Sequence, residues 1–106
     1  MTRVIVTSPA DADTADIVTY LAAKAGYNVA ATYIAAVEKL YDRLADHPDS
    51  GAPRPALGPH IRVGFVSPYI VIYEHTEPDD TVTILRIVHG RRRITGKLLL
   101  SGIRSL

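Results

Sequence analysis

Residues 61–88 read IRVGFVSPYIVIYEHTEPDDTVTILRIV, and this stretch decides the fold. The β-branched and aromatic residues that are typical of strands form three apolar runs, at 61–66, 69–73 and 82–88. Ser67-Pro68 separates the first two runs, and turn-forming residues at 77–80 separate the last two. Because successive strands joined by short turns are most simply antiparallel, we predict a three-stranded antiparallel meander.

The last of these runs, at 82–88, is apolar on both faces except at Thr83 and Arg86. A strand of this kind is typical of the centre of a sheet, with a neighbour on each side. A half-buried Arg86 in such a strand needs a carboxylate partner, and we expect a structural salt bridge there.

Upstream of the strands, apolar residues recur at helical spacing and predict two packed helices. The second helix is the clearer, with one apolar face formed by Ala30, Tyr33, Val37, Leu40 and Leu44. His47-Pro48 ends it, and Asn28 is its expected cap. The first runs from about Pro9 to Ala25, between a Ser8 cap and Gly26, with acids near its start. Its expected buried stripe is Ile17, Val18, Leu21 and Ala25, and its acids are Asp11, Asp13 and Asp16.

The remaining segments complete the order of elements. A β-branched run at 4–6 predicts an N-terminal strand, and four of the seven prolines make 48–60 a stiff loop. The predicted fold is therefore α+β: an N-terminal strand, a helical hairpin and a three-stranded antiparallel meander in one sheet, with the hairpin on one face. Residues 1–106 form one domain, in which 94–106 are a tail whose Leu98–Leu100 run suits either a short helix or an edge strand.

Composition excludes several classes of function. The 106 residues include no cysteine, so disulfides and thiolate metal sites are excluded. The four histidines lack metal-ligand spacing, and no phosphate-binding loop occurs, so we expect neither a metal nor a cofactor. No signal peptide or apolar run of about 18 residues is present, which favours the cytoplasm and no membrane contact.

Charge is unevenly distributed although the net charge is only +1. Six of the 12 bases and no acid lie between Arg86 and Leu106. A segment that carries only positive charge often binds an anionic partner, and it can equally be a solvated surface that aids solubility.

Five segments occur in the order and spacing of one known family. They are 15–21 (ADIVTYL), 44–51 (LADHPDSG), 61–62 (IR), 69–73 (YIVIY) and 84–92 (ILRIVHGRR). Over residues 1–93 the chain resembles the ParE/RelE toxin superfamily, and the ParE branch most closely. The resemblance implies a toxin of a type II toxin–antitoxin system that inhibits DNA gyrase. It also implies a ParD-like antitoxin, which lays a C-terminal helix and an extended tail over the toxin.

The resemblance leaves two alternatives: a RelE-like ribosome-dependent endoribonuclease that cleaves mRNA, and a degenerate module that only binds its antitoxin. An RNase site would use Arg62, Arg86 and His89, with His60 as another candidate acid or base. The loop 48–60 carries no Lys or Glu and no Tyr follows Tyr73, which counts against this chemistry. We therefore expect no catalytic residues and a non-enzymatic inhibitor.

Two sets of residues are candidates for binding. Those for the target are Arg62, His89, Arg91, Arg92 and Arg93; those for the antitoxin are Tyr20, Tyr27 and Ile34. Each has a plainer alternative: Arg62 pairs with an acid, His89 is a hydrogen-bonded structural residue, the arginines form a solvated patch, and the apolar groups cover the edge of the core. Direct binding of nucleic acid is not expected from three arginines alone.

Overall fold

The computed structural model describes residues 2–91, which form a helical hairpin against one sheet. The elements are β1 (Arg3–Val6), α1 (Ser8–Ala25), α2 (Tyr27–Asp46), β2 (Ala52–Pro53), β3 (Ile61–Val66), β4 (Tyr69–Thr76) and β5 (Thr81–His89). The strand order is β1-β5-β4-β3-β2. This arrangement confirms the predicted α+β fold, while the segment 94–106 lies outside the described residues.

The sheet is antiparallel through the meander and parallel at one edge. β3 pairs with β4, and β4 pairs with β5, in antiparallel registers. β1 lies parallel to β5, with Val4 opposite Val82, because the hairpin carries the chain back across one face before the meander begins. β5 therefore has neighbours on both sides, as its apolar sequence predicts.

The predicted loop 48–60 is not wholly irregular, and this corrects the prediction. Ala52 and Pro53 form β2, opposite Val63 and Arg62 of β3. Proline is tolerated here because β2 is the outer strand, where a missing N–H leaves no ladder bond unmade.

The helix ends differ from the prediction in their capping residues. Thr7, not Ser8, caps α1: its hydroxyl accepts a hydrogen bond from the Ala10 N–H at 3.3 Å. Gly26 alone separates the helices, at a φ of 96° that suits glycine, and its N–H donates to the Leu21 and Ala22 carbonyls. Asn28 therefore lies inside α2 and does not cap it.

The core lies between the hairpin and the sheet. All five residues of the predicted α2 face are buried. Four of them, Tyr33, Val37, Leu40 and Leu44, belong to the core cluster that includes Val71, Tyr73, Val82 and Ile84 of the sheet. Ile17, Val18 and Leu21 of α1 are partly buried against this cluster, whereas Ala25 is exposed, contrary to the prediction. A smaller cluster, Ile61, Val63, Ile72, Leu85 and Val88, is buried separately. Among residues 2–91, no helix is long and apolar enough to cross a membrane.

Candidate functional site

Arg86 has the carboxylate partner that its apolar strand requires. Its Nε and Nη2 donate to Asp13 Oδ2 at 2.7 Å and Asp13 Oδ1 at 3.0 Å, and Asp13 Oδ2 also accepts the Ile87 N–H at 2.9 Å. The side chains are 15% and 16% exposed. The hydrogen bonds to Asp13 raise the pKa of Arg86 above its ordinary value. The pair ties α1 to β5, so Arg86 has the structural role that the sequence predicts.

Arg62 holds the chain segment that follows α2. Its Nη1 donates to the carbonyls of Asp49 at 3.0 Å and Gly51 at 2.8 Å, and its Nε lies 3.4 Å from Asp49 Oδ1. The guanidinium therefore already pairs with an acid and two carbonyls. Its role in target binding stays a prediction.

The Tyr73 hydroxyl also holds the segment that follows α2 in place. Its hydroxyl donates to the Pro48 carbonyl at 2.8 Å and accepts the Gly51 N–H at 2.9 Å. Burial raises the pKa of this phenol above its ordinary value. A Cβ at Gly51 would lie 2.5 Å from Tyr73 Oη and 2.6 Å from the Val63 carbonyl oxygen, so the close approach requires glycine.

Removing the Tyr73 hydroxyl is expected to lower the free energy of unfolding by about 1–3 kcal/mol, because the Pro48 carbonyl and the Gly51 N–H lose their partner in a half-buried place. Urea denaturation of Tyr73→Phe measures the loss. Tyr27→Phe is the matched control, since Tyr27 is 86% exposed. An equal effect of the two substitutions would contradict the fastening role of Tyr73.

Each ring nitrogen of His75 is hydrogen-bonded to a carboxylate. Nδ1 lies 2.8 Å from Asp49 Oδ1 and Nε2 lies 3.0 Å from Asp80 Oδ1. Asp80 Oδ1 also accepts the Thr2 hydroxyl at 2.9 Å. Because an ionised carboxylate can only accept a hydrogen bond, contacts at both ring nitrogens favour the imidazolium form of His75, in which each nitrogen carries a hydrogen. Burial alone lowers the pKa of His75, but the hydrogen bonds to Asp49 and Asp80 outweigh burial and raise it.

Stability is expected to depend on pH through His75. A folded-state pKa above the unfolded value contributes stability that is fully present below about pH 6.5 and is lost as the pH rises through the folded pKa. The difference in unfolding free energy between the parent chain and His75→Gln should therefore shrink between pH 5.5 and pH 9. Urea denaturation across this range measures it, with exposed His47→Gln as the control. A difference independent of pH would rule out a cationic His75.

These contacts border an open polar cleft of about 240 Å³. It is lined by Asp49, Pro59, His60, Arg62, His75 and Glu77. The sequence did not reveal Asp49, His75 and Glu77 as neighbours, because their proximity depends on the path of the loop after α2.

Arg62, Arg86 and His89, the candidates for an RNase site, share no hydrogen-bond partner among the described residues. Arg62 binds the segment after α2, and Arg86 binds Asp13. His89 lies at the end of β5, where its ring meets Tyr69 edge-on at 5.6 Å and its Nδ1 accepts the Arg91 N–H at 3.1 Å. His89 and Arg91 are exposed side by side, and Arg92 and Arg93 lie outside the described residues.

A separate apolar groove lies along the outer side of the hairpin, with a volume of about 700 Å³. Its lining is Val18, Thr19, Ala22 and Ala23 of α1 with Tyr27, Ala30, Ala31 and Ile34 of α2. The small alanines make the groove, and Tyr27 and Ile34 expose apolar surface beside them. Two antitoxin candidates thus meet here, whereas Tyr20 lies outside the set of described residues that line the groove.

Comparison with known proteins assigns a family to this arrangement. The family model of the ParE toxin of the parDE type II toxin–antitoxin system matches residues 4–94. Toxin ParE3 of Caulobacter vibrioides is 33% identical over 98 residues, which cover 92% of this chain and 96% of that protein.

Two solved structures share the fold at lower identity. The chromosomal ParDE system from P. aeruginosa superposes with a TM-score of 0.69 at 22% identity, covering 84% of this chain and 96% of that one. The toxin–antitoxin complex RelBE2 from Mycobacterium tuberculosis gives a TM-score of 0.58 at 24% identity, covering 83% and 96%. With the family match over nearly the whole chain, we conclude that this chain belongs to the ParE toxin family of type II toxin–antitoxin systems.

Proposed function

We propose that this ParE-family chain inhibits DNA gyrase by binding it, carries out no catalysis of its own, and is held inactive by a ParD-like antitoxin. The observation that carries the non-catalytic part is the pairing of Arg86 with Asp13. The proposal implies a cytoplasmic protein, because bacterial gyrase acts there.

Cleavage of RNA through its 2′-OH needs a base, an acid and a cation on the phosphate. The Arg86 guanidinium is matched by a carboxylate in two hydrogen bonds, and Arg62 is occupied by Asp49 and Gly51. Asp13 already neutralises the charge of Arg86, and two carbonyls occupy Arg62 Nη1, so each guanidinium is engaged within the fold. This supports inhibition by binding over the RNase alternative.

For the target, we propose the basic end of the sheet, where His89 and Arg91 are exposed and Arg92 and Arg93 follow in sequence. Clustered cations at an exposed position suit a negatively charged patch on a protein partner. Arg62 is a further candidate for target binding. It acts indirectly, because it holds the segment after α2 in place.

For the antitoxin, we propose the hairpin groove with Tyr27 and Ile34, and Tyr20 as an outlying contact. An open apolar groove of small residues between two helices suits the apolar face of a third helix. The exposed Tyr27 ring offers a large apolar contact of the type that anchors interfaces.

Expression of this chain alone in a bacterial host, followed by two purified assays, tests the proposal. Growth arrest with blocked gyrase supercoiling and intact ribosome-bound mRNA is the expected result. Cleaved mRNA with unaffected gyrase would establish the RNase alternative instead. Absence of arrest and of both activities would identify a module that only binds its antitoxin.

Replacement of Arg91, Arg92 and Arg93 by alanine is expected to weaken gyrase inhibition by at least about tenfold, because three adjacent cations supply long-range attraction to an anionic patch. The supercoiling assay at several toxin concentrations measures the change. Arg3→Ala/Lys24→Ala/Lys39→Ala, which removes three positive charges at exposed positions elsewhere, is the control for a simple loss of charge. Equal potency of the triple variant and the parent chain would exclude this end of the sheet as the target surface.

A further inference from the structure

The sheet has a second face, which is turned away from the helical hairpin. A Cβ at Gly64 would lie 3.1 Å from Leu40 Cδ1 of α2, so Gly64 faces the hairpin and its neighbour Val63 faces away from it. Val63 belongs to the smaller buried cluster, together with Ile72, which lies opposite it on β4. The buried members of this cluster are at most 6% exposed, so the second face of the sheet is covered.

Burial on the second face increases from β3 towards β5. Phe65 of β3 lies opposite Ile70 of β4, and Ile70 lies opposite Val88 of β5, so the three residues form one apolar row across the sheet. Phe65 is 61% exposed, Ile70 is partly buried, and Val88 is only 3% exposed. The cover of this row therefore lies over β5 and β4 and leaves the end at β3 open.

The loop before β3 covers only one side of the cluster. Its residue Leu57 packs against the cluster, and the Arg54 N–H donates to the Ile61 carbonyl at 2.9 Å, which places this loop beside β3. Within residues 2–91, Leu57 is the apolar side chain that reaches the cluster from outside the strands. Val88 on β5 is two strand spacings, or about 10 Å, away from β3, so its cover comes from another part of the chain.

The chain leaves β5 beside this same row. The Gly90 N–H donates to the Pro68 carbonyl at 2.8 Å, and a Cβ at Gly90 would lie 3.8 Å from Ile70 Cδ1. The backbone at Gly90 therefore passes close to the middle of the row. The sequence continues through residues 92–106, which lie outside the described part of the chain. Six of these residues are large and apolar: Ile94, Leu98, Leu99, Leu100, Ile103 and Leu106.

We propose that the second face of the sheet binds the chain's own segment 94–106. The run Leu98–Leu100 lies over Val88 and Ile70 in this arrangement, and the contact removes apolar surface of both the segment and the sheet from water. The segment is long enough, because the eight residues from Gly90 to Leu98 span up to about 26 Å when extended, which exceeds the width of two strand spacings. The proposal is independent of the proposed function.

A nitroxide spin label on the full-length chain tests where the segment lies. The sequence contains no cysteine, so Ser101→Cys supplies a single attachment point next to the leucine run. We expect this label to broaden the NMR signals of the Val88 and Ile70 methyl groups and to leave those of Ile34, in the hairpin groove, sharp. Thr19→Cys, in the lining of the hairpin groove, is the matched control and should give the reverse pattern.

Replacement of the leucine run measures how much the contact protects the sheet. Leu98→Ser/Leu99→Ser/Leu100→Ser is expected to speed amide hydrogen exchange in β5 by at least about tenfold, because water gains access to the cluster that β5 shares with β4. Lys97→Ser/Arg104→Ser removes two long polar side chains from the same segment and should leave these exchange rates unchanged.

Three outcomes would overturn the proposal. The first is sharp Val88 and Ile70 signals with the label at residue 101, and the second is equal exchange rates in the two sets of substitutions. The third is broadening that persists when the label and the observed methyl groups are on different chains, which would assign the face to a second copy. None of these measurements uses gyrase or growth arrest, so their result stands whether or not the chain is toxic.

Discussion

Asp13→Ala is expected to lower the free energy of unfolding by about 3 kcal/mol, at the lower end of the range for breaking a buried ion pair. The substitution leaves the Arg86 guanidinium without a counter-charge at a position where its side chain is only 15% exposed. It also removes the acceptor of the Ile87 N–H, so a backbone donor of β5 loses its partner.

The effect is specific because Asp13 joins two distant parts of the chain. Its three hydrogen bonds reach residues 73 and 74 positions away, from the first turns of α1 to the middle of β5. Loss of these bonds weakens the attachment of the hairpin to the sheet. If the proposed function holds, Asp13→Ala should also reduce gyrase inhibition in proportion to the unfolded fraction.

Urea denaturation of three variants tests the cause of the loss. Asp16→Ala removes an exposed acid from the same helix and should change stability by less than about 0.5 kcal/mol. Asp13→Ala/Arg86→Met removes both charges and should recover most of the loss, because an apolar side chain of similar length tolerates burial. A double variant as unstable as Asp13→Ala would show that the unpaired guanidinium is not the cause.

The sequence predicted the fold because its periodicities are simple. The five-residue face of α2 and the apolar run of β5 each specify how much of an element is buried, and the structure buries them accordingly. The need of Arg86 for a carboxylate was also predictable. The identity of that carboxylate was not: Asp13 looked like one of several acids placed to suit the dipole of α1, and only the packing of α1 on β5 selects it.

Neither the polar cleft nor the contacts that hold the loop after α2 could be predicted, because both join residues that are far apart in sequence. Tyr73 and His75 bind Pro48 and Asp49, which are 25 and 26 residues away in sequence. These contacts depend on the route of the chain between α2 and β3, where prolines and glycines show only that regular structure ends. The two-residue strand β2 is likewise too short to produce a periodic pattern.

Leu44→Ala is expected to lower the free energy of unfolding by about 3 kcal/mol, because the removed atoms leave a cavity in the core. Leu44 is fully buried near the end of α2, in the cluster that joins the hairpin to the sheet. Its neighbours belong to rigid strands and helices, so the surrounding core can collapse only in part to fill the space. Urea denaturation of the parent chain and of Leu44→Ala, fitted with the same baseline slopes, measures the difference in the free energy of unfolding.

Ile34→Ala is the matched control, since it removes a similar side chain from a partly exposed position on the same helix. Ile34 is 38% exposed in the hairpin groove, so its loss should cost less than about 1 kcal/mol. If the proposed function holds, Leu44→Ala should reduce growth arrest by reducing the amount of folded toxin, whereas Ile34→Ala should leave growth arrest intact. Equal destabilisation by the two substitutions would mean that the groove face of α2 also belongs to the core, and the hairpin groove would then be no docking surface. Unequal destabilisation separates the face of α2 that holds the fold from the face left open to a partner.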